Sequence, residues 1–210
     1  MKIALLGAES TGKTVLAGQL AARLRREGHA VAIAPEVLRE WCERERRAPR
    51  PEEQLAIALE QERRVDTAAA SAGIVIADTT ALMVAVWSGL LFDEHPLLRF
   101  ALERQRGYDL TLVTGLDLPW VADGVQRDAA HAREPVDALV RELLARAGVC
   151  YRVVYGHGEE RLHNALAALP QGLAPRPAPS APSRAGWKWQ CEACSDPDCE
   201  HRLFTSLARR

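Results

Sequence analysis

The sequence has 210 residues, of which 48% are hydrophobic and 26% are charged, and its formal net charge is -1. This is the composition of a globular domain with room for a small appendage, and it excludes a disordered or fibrous chain. The near-zero charge gives no field for nucleic acid, so we expect no such partner. No apolar run approaches the roughly 20 residues that cross a bilayer, and Glu9 interrupts the apolar N-terminus, so we expect a cytoplasmic protein.

Short apolar runs alternate with helical patterns along the first 169 residues. The first run is followed by a helix in which Leu16, Leu20 and Leu24 recur at four-residue spacing and Gly28 marks the end. A later helix carries Leu82 and falls between the third and fourth strands. The predicted strands cover residues 3–6, 30–34, 74–77, 110–113 and 151–155, and the other predicted helices cover residues 36–47, 51–71, 96–106, 135–147 and 159–169.

Residues 7–14 read Gly-Ala-Glu-Ser-Thr-Gly-Lys-Thr and separate the first strand from the first helix. In this spacing, Gly7 and Gly12 permit the turn in which backbone N–H groups converge on phosphate, with a helix N-terminus behind them. Lys13 is predicted to reach the β- and γ-phosphates of ATP, and the Thr14 hydroxyl to help hold Mg²⁺. A glycine turn without chemical consequence is the alternative. The other loop residues predicted to bind the nucleotide are Glu9, Ser10 and Thr11.

This loop and the alternation of elements predict an α/β fold of the P-loop NTPase type, a three-layer sandwich around a mostly parallel five-stranded sheet. Ligands of such sheets bind beyond the carboxyl ends of the strands. The domain is predicted to span residues 1–169. Residues 170–186 are rich in Pro, Ala and Ser and read as an extended linker, and residues 187–210 as a separate small module.

Asp78 follows the third predicted strand, which we expect to lie beside the P-loop strand. A carboxylate there is a natural second ligand for Mg²⁺, since the ion takes few protein ligands besides phosphate in such sites. Capping the next helix is its alternative role. Guanine specificity is not expected, because the segment nearest to an Asn-Lys-x-Asp motif, Thr114 to Asp117, lacks the lysine.

Further motifs surround these residues in the sequence. They are Glu36 with Arg39, Asp78-Thr79-Thr80, and Tyr108-Asp109-Leu110 followed by Asp117-Leu118-Pro119-Trp120-Val121-Ala122-Asp123-Gly124. With them, residues 1–169 resemble the ribosylnicotinamide kinase domain of the bifunctional NAD-biosynthesis proteins. Pro-Trp-Val-x-Asp-Gly with Arg127 behind it is the more discriminating part. The best-known members also carry an adenylyltransferase domain before the kinase, whereas this sequence starts at the P-loop strand, and we expect no second activity.

The resemblance implies an ATP-dependent kinase that phosphorylates a hydroxyl of a nucleoside-like small molecule, with nicotinamide riboside as the family's substrate. Arg127 and Arg133 match basic positions of a lid and would stabilise charge on the transferred phosphoryl group. A pair of solvent-exposed arginines is the alternative. Glu36 and Asp78 are rival candidates for the base that acts on the substrate hydroxyl.

Substrate binding is assigned by the same resemblance to Glu36, Arg39, Trp120 and Asp123. Trp120 would stack on a flat base, and packing beneath the lid is its alternative role. Many single-domain relatives of this kinase domain have unknown substrates. The acceptor therefore stays open at this point.

Three of the five cysteines lie together near the C-terminus, in the pattern Cys191-x-x-Cys194-x4-Cys199-x-His201. Clustered cysteines in a cytosolic chain bind metal more often than they form disulfides. Three thiolates and one imidazole make a tetrahedral structural Zn²⁺ site, and the metal would supply folding energy to a segment too small for its own core. Free cysteines and an iron–sulfur cluster are the alternatives.

Two functions follow from the sequence. The first is an ATP- and Mg²⁺-dependent small-molecule kinase, which the lid arginines favour. The second is a regulatory P-loop ATPase, a nucleotide switch whose zinc-bearing tail docks a protein partner, which the tail favours. A panel of acceptors separates them, because only the kinase yields a phosphorylated product.

Overall fold

The computed structural model describes residues 1–91, 95–121 and 129–170. These residues form five strands, seven α-helices and one 3₁₀ turn. The elements in chain order are β1 Lys2–Leu6, α1 Lys13–Arg26, β2 Val31–Ala34, α2 Val37–Glu45, α3 Pro51–Ser71, β3 Ile74–Asp78, α4 Ala81–Leu91, α5 His95–Gln105, β4 Leu110–Thr114, the 3₁₀ turn Ala129–Ala132, α6 Arg133–Ala147, β5 Arg152–Val154 and α7 Gly158–Ala167.

The five strands form one sheet in the order β2-β3-β1-β4-β5, and every neighbouring pair is parallel. The third strand therefore lies beside the P-loop strand, as the sequence predicts, with Leu5 opposite Asp78. Because all strands run in one direction, their carboxyl ends meet at the same edge. The P-loop, Asp78 and the residues after β2, β4 and β5 are all placed at that edge.

Helices cover both faces of the sheet, and the alternation of side chains along β1 shows how. Ile3 and Leu5 are fully buried against the leucines of α1 and α7. Ala4 and Leu6 are buried on the opposite face, where α3, α4 and α6 pack. This continuous apolar run is typical of a parallel strand covered on both faces. The predicted α/β sandwich is confirmed for the described residues.

The corner between α2 and α3 is fixed by Glu53, in the first turn of α3. Its carboxylate accepts two hydrogen bonds of 2.7 Å from the Arg47 guanidinium and one of 2.7 Å from the Arg50 backbone N–H. These bonds lower the pKa of Glu53 to about 2, with the Arg47 contact as the largest cause. Pro51 opens the helix at a position that needs no N–H donor.

Helix α6 differs from the prediction at its start. It begins at Arg133, two residues earlier than expected, and the 3₁₀ turn precedes it. Pro135 thus lies inside the first turn, where its missing N–H costs no helical hydrogen bond. Pro135 therefore predicted the first turn of α6 correctly, but not the residue at which the helix begins.

Several predicted features lie outside the described residues. They are residues 171–186 of the linker, the whole cysteine module, and the site candidates Asp123 and Arg127. Within the described ranges, no helix combines the length and apolarity needed to cross a membrane.

Candidate active site

The backbone of the P-loop adopts the left-handed conformations that an anion-binding turn requires. The φ angles are 139° at Gly7, 53° at Ser10 and 76° at Gly12. A Cβ atom on Gly7 would lie 2.3 Å from the Thr114 hydroxyl oxygen, so only glycine fits there. Gly12 is the N-cap of α1, which leaves the first N–H groups of the helix without helical partners. The loop therefore fits a bound phosphate.

Two buried threonines hold the loop against the sheet. The Thr11 hydroxyl donates to the Ala8 carbonyl at 2.7 Å, and its oxygen lies 2.6 Å from the Thr114 hydroxyl at the end of β4. The Thr114 oxygen also lies 3.1 Å from the Leu6 carbonyl oxygen, and its single proton is shared between that carbonyl and the Thr11 hydroxyl oxygen. The sequence analysis predicted that Thr11 binds the nucleotide and did not give Thr114 a role. Nothing in the sequence distinguishes Thr114 from any other threonine at the end of an apolar strand, so its contact with Thr11 could not be predicted.

The side chain of Lys13, which is predicted to reach the phosphates of ATP, is buried against the P-loop. Its ammonium group donates to the carbonyls of Gly7 at 2.9 Å and Ala8 at 2.7 Å. Burial lowers the pKa of Lys13, and the nearby carboxylates of Glu36 and Asp78 act in the opposite direction. Lys13 is therefore held against the loop by two carbonyls, with two acidic side chains close enough to act on its charge.

Glu36 lies directly after β2 as the N-cap of α2, with 15% of its side chain exposed. Burial raises the pKa of its carboxyl group, while the positive charges of Lys13 and Arg39 oppose that shift and Asp78 adds to it. The Arg39 guanidinium donates to the carboxylate at 3.3 Å. The structure thus brings together three residues that the sequence could only assign separately, Glu36, Lys13 and Asp78.

Gln61 of α3 fixes the backbone on both sides of Glu36. Its side-chain oxygen accepts a hydrogen bond of 2.9 Å from the Val37 N–H, and its amide nitrogen donates to the Pro35 carbonyl at 3.3 Å. The side chain is 1% exposed. The sequence analysis missed this residue, although a glutamine on the buried stripe of a helix was a signal for it.

Asp78 ends β3 with 3% of its surface exposed, and its Oδ1 atom is buried without a hydrogen-bond partner among the described residues. Thr80 and Glu62 cap α4 instead, since they accept the N–H groups of Leu82 and Ala81 at 3.2 and 3.0 Å. The capping alternative for Asp78 is therefore not observed. A buried carboxylate oxygen with a free lone pair beside the P-loop fits a Mg²⁺ ligand.

The segment after β4 lies against the P-loop. The Ser10 hydroxyl donates to the Val121 carbonyl at 2.5 Å, and a Cβ atom on Gly12 would lie 3.0 Å from a methyl group of Leu118. Trp120, between these two contacts, is half-buried. Arg133 of α6 reaches the same segment and donates to the Leu118 carbonyl at 2.9 Å. The predicted substrate tryptophan and one lid arginine are thus placed near the phosphate loop.

The remaining predicted ligands of the loop are at its surface. Thr14 is exposed in the first turn of α1. Glu9 is half-buried, and its negative charge raises the pKa of Lys13 against the effect of burial. The roles of Thr14 in metal binding and of Trp120 in stacking stay predictions. Asp117, the residue nearest to a guanine reader, has its carboxylate bound by Arg161 and Gly156.

Comparison with known proteins gives the following matches. The model of the family described as "AAA domain" matches residues 2–161. No curated protein matches the sequence. Among solved structures, a NadR protein in complex with NR has a TM-score of 0.64 at 22% identity, covering 80% of this chain and 50% of its own. A NadR protein in complex with NAD and AMP-PNP has a TM-score of 0.61 at 21% identity, covering 80% and 48%.

A deoxyadenosine kinase from M. mycoides, with dcmp and a flexible dcdp bound, has a TM-score of 0.53 at 12% identity and covers 80% of this chain and 97% of its own. The chain spans about half the length of the NadR structures that it matches. At these identities the likeness concerns the fold, and at that level it confirms the resemblance that the sequence motifs indicated. The family match covers three quarters of the chain, from β1 to Arg161 of α7, so the chain belongs to this AAA domain family.

Proposed function

We propose that the chain is an ATP-dependent phosphotransferase that acts on a hydroxyl group of a nucleoside-like small molecule. Nicotinamide riboside is the first acceptor to test, because two of the matched folds are NadR proteins. The observation that carries the proposal is the desolvated Glu36 beside Lys13 and Asp78 at the P-loop. Binding a nucleotide phosphate does not require this second carboxylate, whereas a base for an acceptor hydroxyl does.

In the proposed reaction, the acceptor oxygen bonds to the γ-phosphorus of ATP while the bond from that phosphorus to the leaving ADP oxygen breaks. Glu36 takes the proton of the hydroxyl, because its raised pKa brings the carboxylate closer to the strength of a useful base at neutral pH. Lys13 and the loop N–H groups bind the phosphates. Arg133 and Arg127 are proposed to stabilise the charge on the transferred group.

Asp78 and Thr14 are proposed to hold Mg²⁺, which would neutralise charge on the bound phosphates. This assignment separates the two rival carboxylates. Asp78 lies in the strand next to the P-loop with an unpartnered buried oxygen, which suits a metal ligand, and Glu36 lies one strand further out and is left for the acceptor. Arg39, Trp120 and Asp123 are proposed to bind that acceptor.

The C-terminal tail is proposed to carry a structural Zn²⁺ ion and to offer a docking surface for a protein partner in the cytoplasm. The proposed zinc ligands are Cys191, Cys194, Cys199 and His201. The metal content of the purified chain tests this part alone. Absence of zinc and iron, together with an unchanged Cys191→Ser variant, would rule it out.

The kinase is tested with a panel of nicotinamide riboside and the common ribo- and deoxyribonucleosides, each incubated with ATP and Mg²⁺. Mass spectrometry of the acceptor and a coupled assay for ADP should show one phosphorylated product formed in equal amount to ADP. Lys13→Met should abolish both signals, since the phosphates lose their buried cation, and serves as the control for contaminating kinases. Steady ATP hydrolysis without any phosphorylated acceptor would contradict the proposal and favour the regulatory ATPase.

A further inference from the structure

Arg161 of α7 is a buried arginine, 4% exposed, that joins three loops at the carboxyl edge of the sheet. Its Nη2 atom donates to the carbonyl of Thr11 in the P-loop at 2.9 Å and to that of Gly115 after β4 at 3.2 Å. Its Nη1 atom donates to the Gly156 carbonyl after β5 at 2.8 Å and to the Asp117 carboxylate at 3.0 Å. One side chain thus fixes the separation of all three loops.

These contacts distinguish Arg161 from an arginine that binds phosphate directly. Both terminal nitrogens are occupied by protein oxygens, and the Nε atom is buried without a partner among the described residues. To reach a phosphate, the guanidinium would have to give up the Thr11 and Asp117 contacts in a desolvated position. The side chain therefore acts through the loop that it holds.

The contact with Thr11 determines where the next N–H group points. In a trans peptide unit the C=O and N–H bonds point in opposite directions. Because Arg161 holds the Thr11 carbonyl behind the loop, the N–H of Gly12 is directed to the opposite side. Gly12 is the N-cap of α1, where N–H groups are available to an anion.

Asp117 holds Arg161 in turn. Its Oδ2 atom accepts a hydrogen bond of 2.6 Å from the Gly156 N–H, which leaves both oxygens within 3.2 Å of the guanidinium. Burial disfavours the charged form, but the bonds from Gly156 and Arg161 outweigh it and lower the pKa of Asp117. The carboxylate therefore stays ionised and neutralises the guanidinium behind the loop.

We infer that Arg161 and Asp117 are a positioning pair for the P-loop, which aims the Gly12 N–H at a bound phosphate and ties the loop to the ends of β4 and β5. This inference rests on the proposed function in one respect, that the loop binds a nucleoside triphosphate. It adds two residues, Arg161 at the end of the matched region and Asp117 inside it, whose side-chain contacts are with the protein's own loops.

The test compares ligands that use the loop with one that does not. Binding of ATP, of inorganic tripolyphosphate and of adenosine is measured by calorimetry for the full chain and for Arg161→Met, with adenosine measured by competition. A positioning role predicts that ATP and tripolyphosphate both lose about 10- to 100-fold in affinity, the equivalent of one or two phosphate hydrogen bonds, while adenosine is unchanged. If Arg161→Met bound all three ligands with wild-type affinity, the inference would be overturned.

Two further variants keep the test decisive. Arg161→Lys keeps the charge but cannot donate to Thr11 and Asp117 at once, so its loss of polyphosphate affinity should match that of Arg161→Met. Wild-type affinity of Arg161→Lys for tripolyphosphate would contradict a role for the forked guanidinium group. Asp117→Asn carries the same comparison if Arg161→Met does not fold. Arg141→Met is the matched control, because it removes a partly buried arginine paired with Asp137 at 2.6 Å, away from the loop.

The outcomes separate this inference from the proposed function. Loss of polyphosphate affinity in the variants of a chain that phosphorylates no acceptor would uphold the positioning pair and reject the kinase. Phosphorylation of an acceptor by an Arg161→Met variant with an unchanged KM for ATP would do the reverse. A wild-type chain that binds neither ATP nor tripolyphosphate would reject both.

Discussion

Two clusters of charged residues, each built around a buried carboxylate, differ in how many hydrogen-bond partners that carboxylate has. The site cluster consists of Lys13, Glu36 and Asp78 at the carboxyl edge of the sheet. The structural cluster consists of Lys2, Glu62, Asp66, Arg104 and Tyr108. Asp78 in the first cluster and Glu62 in the second are each 3% exposed, so the comparison isolates the effect of their surroundings.

In the structural cluster the buried carboxylate has its partners at hand. Glu62 accepts hydrogen bonds from the Ala81 N–H at 3.0 Å, the Tyr108 hydroxyl at 3.2 Å and the Arg104 guanidinium at 3.3 Å. Arg104 also pairs with Asp66 at 2.6 Å. A buried charge that is paired and hydrogen-bonded in this way holds its helices in place.

In the site cluster, Lys13 and Glu36 have polar partners but the buried carboxylate of Asp78 is not fully paired. Asp78 Oδ1 has none among the described residues, and burial raises the pKa of Glu36 and lowers that of Lys13, so that both charges are disfavoured. These groups fit a ligand that brings its own charge, a phosphate for the lysine and a metal ion for Asp78. The comparison teaches that the same residue types can be fully paired within the fold, as in the structural cluster, or keep an unpaired buried oxygen, as in the site cluster.

Asp78→Asn should give the largest effect on function with the least on stability. We expect the proposed phosphotransfer to fall by at least about 100-fold, since the proposed metal ion would lose a charged ligand. The free energy of unfolding in metal-free buffer should stay within about 1 kcal/mol of wild type, because Oδ1 has no hydrogen-bond partner among the described residues. Turnover in the acceptor assay and urea denaturation measure the two effects. A large loss of stability would show that Asp78 has a structural partner.

Glu62→Gln should show the opposite pattern. The substitution keeps the size of the side chain but removes a charge that is 3% exposed and that accepts from three donors. We expect the free energy of unfolding to fall by about 2–3 kcal/mol. Turnover, measured at a temperature at which the variant is folded, should change far less than in Asp78→Asn. A stable variant without activity would place Glu62 in the site and remove the contrast between the clusters.

The sequence predicted the elements and the P-loop turn because each depends on local spacing. The P-loop needs glycines at fixed positions, and the strands read as apolar runs. The cross-links that hold the site depend on contacts between distant segments. Arg161 and Thr11 are 150 residues apart in the sequence, and only the packing of α7 brings them together. The available signal was a polar residue on a buried helical stripe, which Gln61, Glu62 and Arg161 share.

Thr79 is another feature that spacing could not predict. Its φ angle of 70° is unusual for a β-branched residue, and its N–H donates to the Leu5 carbonyl at 3.1 Å. The residue lies between β3 and α4, next to the P-loop strand. Conformational propensity alone would place a glycine at a positive φ angle, so the sequence gave no indication that Thr79 adopts this conformation.

The smallest predicted effect concerns the pH dependence of stability at Glu36. Because burial raises the pKa of Glu36 above its unfolded value, the native state holds the proton more tightly. The stability that this contributes is complete below the unfolded pKa of about 4.3 and is lost as the pH rises through the raised native pKa. Relative to Glu36→Gln, wild type should therefore lose stability over that window.

Urea denaturation of wild type and Glu36→Gln at a series of pH values measures this difference, and each unit of displacement in the native pKa corresponds to about 1.4 kcal/mol. Glu43→Gln, at an exposed position of the same helix, is the control and should track wild type. A difference between wild type and Glu36→Gln that stays flat with pH would mean that Lys13 and Arg39 fully compensate the burial of Glu36. In that case the site cluster would be satisfied in the same way as the structural cluster, and Glu36 would lose the property that suits it to act as a base.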